Sequence, residues 1–148
     1  MPKSLSRVLI HLVFSTKNRQ PFIGSESQPE TFAYLAGTLN AIDCPAILVG
    51  GMPDHVHLLF VLGRVVALSQ AVEEVKKESS KWAKTHVHPD FYWQSGYGAF
   101  SVSPSNVPKV TQYIANQETH HQKMSFQDEM RAFLRRHELE CDERYMWD

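Results

Sequence analysis

Two histidines separated by one apolar residue, His55-Val56-His57, head a run that continues Leu58-Leu59-Phe60-Val61-Leu62. Side chains alternate between faces along a β-strand, so His55 and His57 project together while Val56 and Leu58 go to the other face. Two imidazoles side by side are a ready pair of ligands for a divalent metal. The plain alternative is a pair of half-buried sheet histidines; their pairing directly after a turn favours the metal. A second reactive group lies further on. Tyr113, Asn116 and Gln117 fall at i, i+3 and i+4 of a helical stretch, which puts all three on one polar face. Two imidazoles and one amide oxygen would hold Mg²⁺ or Mn²⁺ and leave positions for phosphate and water. Such an ion polarises a phosphate and helps the leaving oxygen depart. Tyr113 would then be the nucleophile. A phenol titrates near pH ~10, so it needs the metal or a basic neighbour to lose its proton at neutral pH. The product would be a phosphotyrosyl ester that keeps the bond energy for rejoining. Taken alone, Tyr113 reads as a half-exposed helix tyrosine.

The elements that must position these groups follow from the hydrophobic pattern. Arg7–Ser15 is β-branched and aromatic and reads as a buried strand, with His11 inside it left unassigned. Thr16–Pro21 is a basic, turn-prone loop whose Lys17 and Arg19 suit phosphate contact or plain solvation equally. Phe32, Leu35, Ala36 and Leu39 recur at helical spacing between about Gln28 and Ile42. Ala46–Val49 is a short strand, Gly50–Asp54 a turn, and His55–Leu62 the strand that closes a hairpin. Ser69 is a candidate N-cap for a helix to about Lys84, with an apolar face of Leu68, Val72, Val75 and Trp82. Lys76, Lys77, Lys81 and Lys84 on that helix read as a solvated face or as phosphate contacts.

His86-Val87-His88 is a second His-x-His, but Pro89 follows it and no strand holds its rings on one face, so it reads as a surface turn. The aromatics of Phe91–Tyr97 suit sheet cover better than base stacking. Ala99–Ser103 is the last strand. Ser105 or Asn106 caps a helix over Val107–His121, with Pro108 in its first turn and Val107, Val110 and Ile114 as its apolar flank. A final helix covers about Phe126–His137, followed by a tail whose aromatics could dock on the body or on a partner. The order is strand, helix, strand, strand, helix, strand, then helices. This predicts an α+β, ferredoxin-like split βαβ fold: an antiparallel sheet with helices on one face and the tyrosine helix near the C-terminus.

Composition sets the bounds. The 148 residues, 43% hydrophobic and 21% charged, suit one globular domain with a real core. A net charge of −1 excludes global basicity, so any nucleic-acid surface must be a local cluster. Cys44 and Cys141 form no CxxC pair and read as free thiols of a reducing compartment. Met1–Arg7 has no long apolar core and Val8–Phe14 is too short to span a membrane, so a cytoplasmic protein without membrane contact is expected.

Pro53-Asp54-His55-Val56-His57-Leu58-Leu59 resembles the His-hydrophobe-His motif of the small single-tyrosine HUH transposases, the insertion-sequence 200/605 group. Tyr113-Ile114-Ala115-Asn116-Gln117 resembles their catalytic Tyr-x-x-x-Gln helix. Lys76 with Ser79-Ser80, Trp93–Tyr97 and His11–Arg19 are similar to other recurrent segments of that family, in the family's order, to about Gln122. The resemblance implies a ferredoxin-like fold and a homodimer with composite active sites. His55 and His57 of one subunit would then work with Tyr113 of the other, and Gln117 would complete the metal site. It implies a divalent metal, Mg²⁺ or Mn²⁺, and single-stranded DNA carrying hairpins as substrate. The reaction would be cleavage to a 5′-phosphotyrosine and a free 3′-OH, followed by strand transfer. Lys17, Arg19, Lys76 and Lys81 are the candidate DNA contacts.

Three rivals remain. A histidine-triad nucleotide hydrolase would need a third histidine where Leu59 stands. A ferredoxin-like RNA-binding module would carry aromatics in a Gly-Phe-rich signature that His55–Leu58 does not resemble. A host-adopted relative that processes repeated palindromes would share the site and could be monomeric.

Overall fold

A computed structural model describes residues 4–140 and 143–147. The strands are β1 (Val8–Ser15), β2 (Ala46–Met52), β3 (His55–Leu62) and β4 (Gly98–Val102). They form one sheet in the order β2-β3-β1-β4, every neighbouring pair antiparallel. Between them run α1 (Gln28–Ala41) and α2 (Leu68–His86), and after β4 come α3 (Val107–Ala115), α4 (Gln117–His121), α5 (Phe126–Arg136) and α6 (Glu143–Met146). This is the expected ferredoxin-like plan.

The helices cover both faces of the sheet, where one was expected. On the first face Ile10, Leu12 and Phe14 of β1 and Val56, Leu58 and Phe60 of β3 pack against Leu35 and Leu39 of α1 and Val72 and Val75 of α2. These side chains are fully or almost fully buried, and each large one contributes about 2–3 kcal/mol of apolar burial. The out-of-phase residues, Val13 of β1 and Phe100 of β4, meet Phe126, Met130 and Phe133 of α5 on the second face. His11, His55 and His57 belong to this second face by strand parity.

Three local readings change in the structure. Gly50 and Gly51 lie inside β2, and the hairpin turn is only Pro53-Asp54, between paired Met52 and His55. Glycine is used here because α3 crosses the strand closely. A Cβ on Gly50 would lie 2.8 Å from Ile114 Cγ2 and 3.0 Å from the Ile114 carbonyl oxygen. The expected helix over Val107–His121 breaks at Asn116 (φ −102°, ψ 25°), whose N–H reaches the carbonyls of Gln112 and Tyr113. Asparagine is a weak helix former, so the helix loses little by breaking there. At the start of α2 the Gln70 side-chain oxygen accepts from Ala67 N–H at 3.0 Å, so Ser69 lies in the first turn and is not the cap.

Cys44 is buried, its sulfur accepting from Gly63 N–H, while Cys141 lies outside the described residues. His86 and His88 do not converge. The first stacks on Trp82 and the second accepts from Asp90 N–H. Among the described residues no helix is long and apolar enough to cross a membrane.

Candidate active site

β3 delivers His55 and His57 to the second sheet face, as its period of two requires, with exposures of 1% and 0%. Each ring is fixed through its Nδ1. His55 Nδ1 donates to Asp54 Oδ1 at 2.7 Å, and His57 Nδ1 lies 2.8 Å from Nε2 of His11 on the neighbouring strand. Both Nε2 atoms therefore face outward from the sheet, toward α4 and α5.

The break at Asn116 decides what meets them. It turns Gln117 inward to 2% exposure, where its Oε1 accepts from His55 Nε2 at 3.1 Å and lies 3.0 Å from His121 Nε2. From α5 comes Glu129, 1% exposed. Its Oε1 lies 3.0 Å from His57 Nε2 and 3.5 Å from His55 Nε2, and its Oε2 lies 3.2 Å from Nε2 of both His120 and His121. Tyr113 Oη donates to the same carboxylate and sits 3.0 Å from His120 Nε2. The nucleophile candidate, the histidine pair and Gln117 are thus gathered around one buried carboxylate within a single chain.

The electrostatics follow from that carboxylate. Burial alone would raise the Glu129 carboxyl, but His121, His55 and His57 outweigh it and hold it far below the usual carboxylate range. Burial opposes charge on His55, yet Asp54 and Glu129 together pull its pKa up to about 9. His57 goes the other way. Complete burial lowers its pKa despite Glu129, and burial with His57 beside it lowers that of His11 to about 3. A neutral His57 that donates to Glu129 through Nε2 must accept at Nδ1 from His11. Burial and the Glu129 charge push Tyr113 well above the ordinary phenol value, so without metal it is a neutral donor.

His55, His57, His121 and Glu129 each place one ligand atom within 4.8 Å of the others, the spacing of a mononuclear metal site. Imidazole, amide and carboxylate donors together fit a divalent ion. Cavities open on two sides of the cluster. One of about 480 Å³ opens at Tyr113 and is lined by Lys109, His120 and Arg136. The other, about 270 Å³, opens at His55 and is lined by Arg19 and His121.

Of the candidate DNA contacts, Arg19 lines the His55 cavity and Lys17 is exposed beside it in sequence. The Lys76 ammonium donates to the carbonyls of Gln94, Ser95 and Gly96, and burial lowers its pKa to about 8. Lys81 is exposed on α2, which covers the opposite sheet face.

Sequence reasoning did not assign His11, Asp54, His120, His121 or Glu129. Two signals were present. His121 follows Gln117 at i+4, and Glu129 sits within the stripe Phe126, Met130, Phe133, where an amphipathic helix should be apolar. The described part of the tail packs on α5 of the same chain, with Arg131 bonded to Glu143 and lying 5.5 Å from the Trp147 ring.

Comparison with known proteins places the chain in a family and a fold. A profile of the family described as "Transposase IS200 like" matches residues 4–117. A candidate transposase from Deinococcus radiodurans superposes with a TM-score of 0.63 at 23% identity, covering 79% of this chain and 98% of that one. A REP-associated tyrosine transposase bound to a REP hairpin superposes with a TM-score of 0.61 at 12% identity, covering 82% and 73%. No curated protein matches the chain. At such identities the structural likeness speaks for the fold alone, and the profile carries the assignment: this chain belongs to the IS200-like transposase family.

Proposed function

We propose that the protein cleaves and rejoins single-stranded DNA at hairpin-bearing ends through a 5′-phosphotyrosine on Tyr113. The observation that carries this reading is the convergence of the Tyr113 hydroxyl and the His55–His57 pair on one carboxylate. His55, His57 and Gln117 would hold a divalent ion, Mg²⁺ or Mn²⁺, which when bound polarises the scissile phosphate and neutralises charge on the leaving oxygen. Tyr113 Oη attacks phosphorus, its proton leaves to a basic neighbour, and the bond to the 3′-oxygen breaks. The 3′-oxygen takes up a proton as the free hydroxyl. The new phosphotyrosyl ester conserves the bond for attack by a second 3′-OH. Lys109 and Arg136 line the cavity on the Tyr113 side and suit the flanking phosphates, as Arg19 does on the His55 side.

A second reading has an observation of its own. The whole set is assembled from one chain, which suits a monomeric relative that processes repeated palindromes. A homodimer with Tyr113 supplied by the partner would exchange α3 between subunits. One assay addresses both. Labelled single-stranded hairpin DNA from the native element ends is incubated with Mg²⁺, Mn²⁺ or EDTA, using wild type and Tyr113→Phe. A metal-dependent covalent adduct that is lost in Tyr113→Phe supports the mechanism, whereas cleavage that survives the substitution sinks it. Mixing His57→Ala with Tyr113→Phe protein separates the assemblies, since only a shared site recovers cleavage.

A further inference from the structure

We propose that the metal centre of this chain takes five protein donors, with His121 and Glu129 added to His55, His57 and Gln117. Such a centre selects an imidazole-preferring transition ion of the Co²⁺ or Zn²⁺ kind over Mg²⁺. The proposal rests on the reading of this cluster as a divalent-metal site and narrows its ion away from Mg²⁺.

Three imidazoles present Nε2 to the same point, and each has its Nδ1 tied elsewhere. His55 is held by Asp54 at 2.7 Å, His57 by His11 at 2.8 Å, and His121 by the Met124 carbonyl at 2.7 Å. This is how ligating histidines are oriented, with the second nitrogen fixed so that the first is aimed. A lone buried histidine needs no such arrangement. Three arranged alike around one spot point to an occupant.

The spacing of the donors carries the argument further. An ion with bonds of about 2.1 Å keeps adjacent ligands about 3.0 Å apart in an octahedron and about 3.4 Å apart in a tetrahedron. Gln117 Oε1 lies 3.1 Å from His55 Nε2 and 3.0 Å from His121 Nε2. Glu129 Oε1 lies 3.0 Å from His57 Nε2 and 3.5 Å from His55 Nε2, and its Oε2 lies 3.2 Å from His121 Nε2. In the metal-free chain these are hydrogen-bond and ion-pair distances, and those to Gln117 Oε1 and Glu129 Oε1, one donor atom from each residue, also match the edges of a ligand shell. Glu129 also supplies the one formal negative charge among the five donors, facing an ion of charge two.

The donor types decide the ion. Three imidazoles suit the later first-row metals, and affinity along that row rises from Mn²⁺ through Co²⁺. Mg²⁺ prefers oxygen and keeps several waters, which a site with five protein donors has little room for. The opposing interpretation makes Glu129 a plug that occupies the metal's place and must leave. The two differ in sign, because removing a plug tightens metal binding and removing a ligand weakens it.

Calorimetric titration of the full chain, stripped with EDTA and dialysed, with CoCl₂ and with MgCl₂ tests this without any DNA. Wild type is expected to bind Co²⁺ more than tenfold tighter than Mg²⁺. Glu129→Gln, which keeps the side-chain shape, and His121→Ala should each weaken Co²⁺ binding about tenfold or more and change the intensity of the Co²⁺ visible absorption. Mg²⁺ binding within tenfold of Co²⁺ in wild type overturns the selectivity and needs no variant. Co²⁺ binding that is unchanged or tighter in Glu129→Gln overturns the ligand assignment. His57→Ala is the control: if it retains wild-type Co²⁺ affinity, the underlying metal reading fails, which is a separate outcome.

Discussion

β3 faces two different worlds. Its even-numbered residues Val56, Leu58 and Phe60 enter an apolar layer closed by α1 and α2, while His55 and His57 enter a layer of His11, Gln117, His121 and Glu129 closed by α4 and α5. The first layer is held by area, so neighbouring apolar side chains can exchange volume with modest loss. The second is held by geometry. Every buried polar side-chain atom among the described residues has a partner, and removing one leaves another desolvated and unmatched. Strand parity lets one strand carry both layers, separating the groups that stabilise the fold from those proposed to do its chemistry.

That separation can be broken experimentally from either side. On the chemical side Tyr113→Phe should lower covalent adduct formation about 1,000-fold or more while lowering the thermal midpoint by only about 2–4 °C, the worth of about 1 kcal/mol, because Glu129 keeps His57, His120 and His121 as partners. Adduct assay and calorimetry on the same preparation check both halves. On the apolar side Phe60→Ala should cost about 3–5 kcal/mol in urea unfolding yet leave Co²⁺ affinity in the folded protein intact. A matching loss of metal affinity would mean that the two layers are coupled.

The polar layer also predicts a pH dependence of its own. In metal-free protein His55 has its pKa raised to about 9, so its charged pairing with Asp54 and Glu129 contributes fully below the unfolded value near 6.5. It is lost as pH rises through 9. In thermal unfolding in EDTA the His55 contribution should fall by about 3 kcal/mol between pH 6.5 and pH 9.5, against an opposite contribution from Lys76, whose pKa burial lowers to about 8, so the difference between wild type and His55→Ala carries the slope. His55→Ala should flatten that slope; an unchanged slope would remove His55 as its source. The smallest effect concerns the contact between the layers' supports. Gly50→Ala should cost about 1–3 kcal/mol, because its Cβ meets the Ile114 backbone and α3 must shift. Since Tyr113 precedes Ile114, adduct formation should fall more than stability does.

Much of this was legible in the chain itself. The alternation across 55–62 determined that His55 and His57 share a face, and the order of periodic segments determined the ferredoxin-like plan. Period-of-two and period-of-3.6 patterns are local, written within one element by the requirement that its apolar side be buried. The two-glycine stretch before His55 misled because glycine serves both turns and close packing, and only the crossing of α3 over Gly50 distinguishes them. The continuous helix from Val107 to His121 misled because propensity does not register one bridge residue at Asn116. What periodicity cannot carry is which faces meet. Glu129 reaches His57 across 72 positions of chain and His11 reaches it across 46, through docking of α5 and pairing of β1 with β3. Those contacts follow from many weak apolar terms summed over the whole fold, so a lone glutamate in an apolar stripe and a lone histidine in a buried strand acquired their meaning only when the layers closed.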